Sequence, residues 1–221
     1  MKKVLGFAAV AAAFAGVAQA DVLWHQAPNT GAAAYVDQEF SDFPTFSTYG
    51  VSDVTFGAAA TITDVTVYFS VNAGWPGVIT QGRLNIFAKT GSLPGGGDDP
   101  GTGTVVNVVV TNMGTHMTIK ASGLNIGVGA GSYWIGLTPM TTFGTHGQAF
   151  NMQATGNVGD PTAFRNPGGG FGLGTAWGTN VLFGGPGSDH AITIEGTAIP
   201  APGALALLGA AGLVARRRRR A

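Results

Sequence analysis

Cysteine is absent from all 221 residues. This excludes disulfides, thiol nucleophiles and zinc sites built on thiolates. Charge is also scarce, at 10% Asp, Glu, Lys and Arg, and the formal net charge of zero conceals a segregation. Between residues 21 and 197 only Arg83, Lys89, Lys120 and Arg165 are basic, against all eleven acidic side chains, a net −7. An anionic body suits neither nucleic acid nor an anionic lipid surface, so no nucleic-acid partner is expected. Catalytic signatures are missing as well. No Gly-Lys-Ser/Thr closes a phosphate loop, and Ser132 ("GAGSYW") and Ser188 ("GPGSDH") sit in no nucleophile elbow. His25, His116, His146 and His190 lack the two- or four-residue spacing of a local metal site. Glu39 and Glu195 are the only glutamates, so a hydrolase working through paired carboxylates is the weakest of the function classes. No enzyme activity and no cofactor are expected.

Glycine, in contrast, is abundant, at 37 residues without a three-residue period, which reads as turns and long loops rather than collagen. Between the turns, apolar and polar residues alternate. In "ITDVTVYFSV" (62–71), Val65, Val67, Phe69 and Val71 share one face and Thr66, Tyr68 and Ser70 the other, the signature of a half-buried strand. "THMTIKA", "SYWIGLT" and "HAITIEG" repeat the pattern, while "TVVNVVVTN" (104–112) is apolar on nearly both faces, as expected of a strand in the middle of a sandwich. "VLWH", "SDVTF", "LNIFAK", "AFNMQ" and "NVLFG" are weaker candidates. Nine or ten strands predict an all-β, two-sheet antiparallel sandwich, jelly-roll-like, over residues 21–197. Two Gly-rich stretches, 90–103 and 166–180, interrupt the strands and read as flexible surface loops.

The ends differ from the body. "MKKVLGFAAVAAAFAGVAQA" (1–20) has the charged start, apolar run and small-residue close of a secretory signal peptide. Ala18 and Ala20 flank the cleavage motif, which leaves Asp21 first in the mature chain and signal peptidase as a partner. At the other end, residues 198–221 contain Pro200-Ala201-Pro202, an uncharged stretch from Gly203 to Ala215, and Arg216, Arg217, Arg218, Arg219 and Arg220. Thirteen residues make a helix of roughly 20 Å, short of the roughly 30 Å hydrocarbon core. The arginines hold that end on the cytoplasmic side. The arrangement resembles the PEP-CTERM sorting signal, although Ala201 stands where that family usually has an acidic residue. The resemblance is confined to the two ends of the chain. It implies processing by an exosortase, an inner-membrane-tethered intermediate with a short apolar transmembrane helix, and delivery to the cell surface or exopolysaccharide matrix.

Two candidate sites remain in the body. Trp75 ("AGWPG"), Trp177 ("TAWGT") and Phe171 ("GGGFGLG") lie in Gly-bracketed loops, and either stack on sugar rings or fold back to plug the sandwich. Asp37, Glu39 and Asp42, with Asp98 and Asp99, are candidate calcium ligands, or else solvated turn carboxylates, since neither stretch fits the spaced calcium loop. Together these readings predict a structural or adhesive, non-catalytic surface protein. The alternative is a carbohydrate-binding module that uses its loop tryptophans on extracellular polysaccharide.

Overall fold

The computed structural model describes residues 20–70, 75–183, 185 and 187–199. The expected signal segment before Ala20, the Pro motif, the expected short C-terminal apolar helix and the arginine cluster lie outside those residues. No helix among the described residues is long and apolar enough to cross a membrane.

The fold is all-β. Among the described residues fourteen strands follow in chain order: β1 (Asp21–Gln26), β2 (Ala34–Val36), β3 (Glu39–Phe40), β4 (Tyr49–Phe56), β5 (Ala60–Phe69), β6 (Gln81–Ala88), β7 (Thr104–Asn112), β8 (Met117–Ala121), β9 (Ile126–Val128), β10 (Gly131–Thr141), β11 (Phe150–Met152), β12 (Ala163–Arg165), β13 (Gly178–Thr179) and β14 (Ile192–Ala198). A single helical turn, α1 (Phe143–His146), follows β10. The main path runs β1-β14-β5-β8-β7-β6-β10-β4-β12-β13, antiparallel throughout, and β3 adds a parallel pair to the end of β10.

The expected two sheets are one curled sheet, and β7 makes the curl. Its first half, Thr104 to Asn107, pairs with β6, and its second half, Val108 to Asn112, pairs with β8. One strand therefore belongs to both layers. This also corrects the expectation that β7 is buried on both faces: Val108 and Val110 face the core, but Val109 is 68% exposed on the outside of the bend. β10, like its neighbour β4, is buried on both faces instead. Ile135 and Leu137 enter the main core with Val65, Val67, Phe69, Met117, Ile119, Ile192 and Ile194. Trp134 points the other way and forms a second, smaller core with Val51, Ala163 and Trp177. The weak strand candidate "NVLFG" is instead a 3-10 turn over Asn180–Phe183.

The two Gly-rich stretches are not free loops, because they meet over the second core. The Trp177 indole N–H and the Arg165 guanidinium both donate to the carbonyl of Asp98, at 2.8 and 3.0 Å. Lys89, which bridges Asp53 and Asp160, lies 4.8 Å from the Trp134 ring centre and closes the same patch.

Register fixes the two poles of the molecule. Asp21 pairs with Gly196, and the Ile199 amide donates to the Ala59 carbonyl, so both described ends leave from one pole. β10 starts near that pole, where Gly131 pairs with Phe56, and ends at the other, where Thr141 pairs with Phe40. Its ten residue steps separate the poles by roughly 30 Å.

Gly136 tests how tightly β10 is seated. A β-carbon there would overlap the Gly50 carbonyl, whereas one at Gly127 in β9 meets nothing within 4 Å. Gly136→Ala is expected to cost about 3 kcal/mol in denaturant unfolding. Gly127→Ala is expected to change stability by less than about 0.5 kcal/mol.

Candidate functional site

The candidate calcium ligands separate into unrelated structural roles. Glu39 makes a two-pronged ion pair with Arg83, at 2.5 and 2.7 Å. Asp98 accepts the Gly95 amide and Asp99 the Gly101 amide, each closing its own turn. Asp42 accepts from the backbone of Phe143 and Gly144, at 2.9 and 3.0 Å. Partial desolvation of Asp42 is outweighed by these and neighbouring N–H donors, so its pKa falls below the ordinary value. Asp37 is fully buried and accepts from the Thr138 hydroxyl, the Asn151 amide and the Gly50 N–H. Among the described residues, no three or more His, Asp or Glu side chains gather as metal ligands.

Burial decides between the two readings of the tryptophans. Trp75 is fully enclosed in the main core beside Phe69, its indole N–H donating to the His146 carbonyl. Trp177 is buried in the second core. Neither indole offers a face to a sugar ring. These tryptophans plug the sandwich because a large apolar ring with one donor gains most where that donor finds a carbonyl under cover.

Phe171, the third candidate, has a different setting. It lines a groove of about 260 Å³ with Phe40, Phe43, Phe46, Phe143 and Gln148, at the pole away from the described chain ends. The rings form a continuous run. Phe40–Phe143, Phe143–Phe43, Phe43–Phe46 and Phe46–Phe171 have centres 6.3, 6.1, 6.5 and 5.2 Å apart. Phe43, Phe46 and Phe143 are 50, 38 and 47% exposed. Leaving rings of this size in water forgoes roughly 1.5–3 kcal/mol each relative to burial, and such patches mark interaction sites.

Three segments build the groove, and polar bonds lock them together. Asp42 ties the 40–46 segment to α1. The Asn166 side-chain amide donates to the carbonyls of Thr45 and Ser47, and its oxygen accepts the Phe171 amide. Gly170 donates to the Thr45 carbonyl. Gly168 and Gly170 approach the Thr45 backbone so closely that neither leaves room for a β-carbon. Beneath Gln148, Gln38 accepts the Ala149 amide and donates to the Gly147 carbonyl. The ring positions are therefore set without a ligand. The sequence reading of aromatics in Gly-bracketed loops takes in Phe171 but not "FSDFPTF", whose phenylalanines recur at 40, 43 and 46 around a proline.

Behind the groove, Asp37 and His190 form a second polar feature in the sandwich interior. The His190 ring lies 4.6 Å from Phe164 and stacks on Tyr35 at 6.2 Å. Both its ring nitrogens lack hydrogen-bond partners. A β-carbon on Gly50 would lie 3.1 Å from both His190 Nδ1 and Asp37 Oδ2, so the two polar atoms flank the same glycine. Burial pushes Asp37 up to about 7, against the opposing hydrogen bonds, and pushes His190 down to about 3. Compared with known proteins, the chain matches no family model and no curated protein.

These two groups give stability opposite pH slopes. The raised Asp37 favours folding fully below its ordinary 3.8, and that contribution is lost as pH rises towards 7. The lowered His190 favours folding above its ordinary 6.5, and that contribution is lost as pH falls towards 3. From about pH 4 to 6.5 they offset each other. In urea unfolding, Asp37→Asn is expected to leave stability rising with pH across that window, by up to about 1.4 kcal/mol per unit. His190→Phe is expected to leave it falling. Parallel pH curves for wild type and Asp37→Asn would refute the opposition.

Proposed function

We propose that the protein is an exported, non-catalytic component of the cell surface or extracellular matrix, and that the phenylalanine groove is its binding face. One observation carries the binding role: a preset run of five rings, three of them 38–50% exposed, at the pole opposite the described chain ends. An anchored or sorted carboxyl end would turn that pole outward. The export half rests on the sequence. Residues 1–20 carry the signal-peptide pattern, and Pro200 to Arg220 resembles the exosortase-processed tail, with the inner membrane as the intermediate station. Among the described residues the groove is lined by one polar side chain, Gln148, which does not favour a hydroxyl-rich sugar as the bound group.

Two measurements test the halves separately. Intact-mass analysis of protein recovered from the cell surface is expected to show loss of residues 1–20 and of Arg216 to Arg220. A full-length chain ending in Ala221 in the cytosol would overturn export. The double variant Phe43→Ser and Phe143→Ser is expected to be exported and folded but released from the surface fraction into the medium. Retention equal to wild type would overturn the groove as binding face.

A further inference from the structure

We propose that the phenylalanine groove is an aromatic cage for the quaternary ammonium group of a soluble or matrix-borne compound. This rests on reading the groove as the binding face, and adds the chemistry of what it binds.

Ring geometry comes first. Phe43 meets Phe46 at 87°, Phe143 meets Phe43 at 80°, and Phe46 meets Phe171 at 85°. An edge-to-face pair engages a face of only one of its two rings, so other faces, where the quadrupole is negative, are left available to the groove. Hydrogen-bonding capacity comes second. Among the described residues, Gln148 is the only polar side chain lining about 260 Å³. A sugar or a primary ammonium would lose water there without finding enough partners. A quaternary ammonium carries a full charge and no N–H, so the scarcity of acceptors costs it little. It is the cation such a wall can hold.

The surroundings select the sign of charge. Among the described residues, no lysine or arginine lines the groove. Asp42 stands in the groove-building segment, ionised and fixed by the Phe143 and Gly144 amides. His146, on α1, has its pKa lowered by burial, against the pull of the Asp42 charge. The body between residues 21 and 197 is net −7. An anion would face ring quadrupoles, with a carboxylate on the segment that carries Phe40, Phe43 and Phe46. The groove's place at the pole far from the described chain ends favours a ligand that reaches it from outside over a headgroup in the protein's own membrane.

The test is calorimetric and NMR titration of the purified protein with choline, ethanolamine and 3,3-dimethylbutan-1-ol, the neutral isostere of choline. Choline is expected to bind at least roughly fivefold more tightly than either, and to shift the ring protons of the groove. Phe46→Leu and Phe143→Leu, which keep apolar bulk and remove the π face, are expected to weaken choline roughly fivefold and leave the neutral isostere nearly unchanged. Equal binding of choline and its isostere would overturn the cage in favour of a plain apolar pocket. No shift of the groove rings with choline would overturn it too, even if the serine double variant is lost from the surface, so the two failures are distinguishable. Binding to phosphatidylcholine vesicles without binding of free choline would overturn the soluble source.

Discussion

β7 gives its backbone to two layers, and the arrangement of the molecule follows from that sharing. A strand that hydrogen-bonds to β6 along one half and to β8 along the other must bend between them. The bend carries the sheet over on itself and brings the inner faces of β5, β8 and β14 against those of β6 and β10. Two separate sheets could slide over each other; here the ladder is continuous, and the offset between layers is set by hydrogen bonds as well as by packing. Strand direction then decides where everything else lies. The outer face of β10 needs a cover, which the two glycine-rich segments supply, and the loops at its far end become the scaffold of the groove.

Burial and exposure are distributed unusually among the aromatics. The indoles of Trp75 and Trp134 are fully enclosed, while three phenylalanines with no polar atom to satisfy stay in water. Solvation alone would predict the reverse. The segments that hold the phenylalanines open are the ones most densely tied by side-chain-to-backbone bonds, from Asp42, Asn166 and Gln38. Such bonds keep the rings apart and stop them collapsing into a closed cluster. The interior shows the same dependence on polar ties. Asp37 holds β4, β10 and β11 through Gly50, Thr138 and Asn151, at the cost of an awkwardly placed carboxyl.

Much of the strand pattern was legible in the sequence, because alternation is a local signal. Val65, Val67, Phe69, Met117, Ile119, Ile192 and Ile194 all face inward as their spacing implies. The short strands β2, β3, β9, β12 and β13 were not legible, since two or three residues cannot display a period of two. β7 and β10 exchanged roles for a non-local reason. Whether the outer face of an apolar strand meets solvent or another segment depends on where a loop some forty residues away comes to rest, and Trp177 decides that for β10. Of the candidate site, Phe171 stands out in the sequence as a Gly-bracketed loop aromatic, with a sugar-stacking and a plugging role both open to it. Its companions Phe40, Phe43, Phe46 and Phe143 come from two other segments that only the closed fold brings together.

The placement of the two ends beside one another, with the groove at the far pole, has a mechanical side. A force applied between Ile199 and something held in the groove would run along the strands rather than across them. β14, flanked by β1 and β5, would then bear that load through its rungs simultaneously, as a lap joint does under shear, and not one at a time as a zipper does. For a domain without a single covalent cross-link, that orientation offers resistance to pulling which composition alone would not suggest.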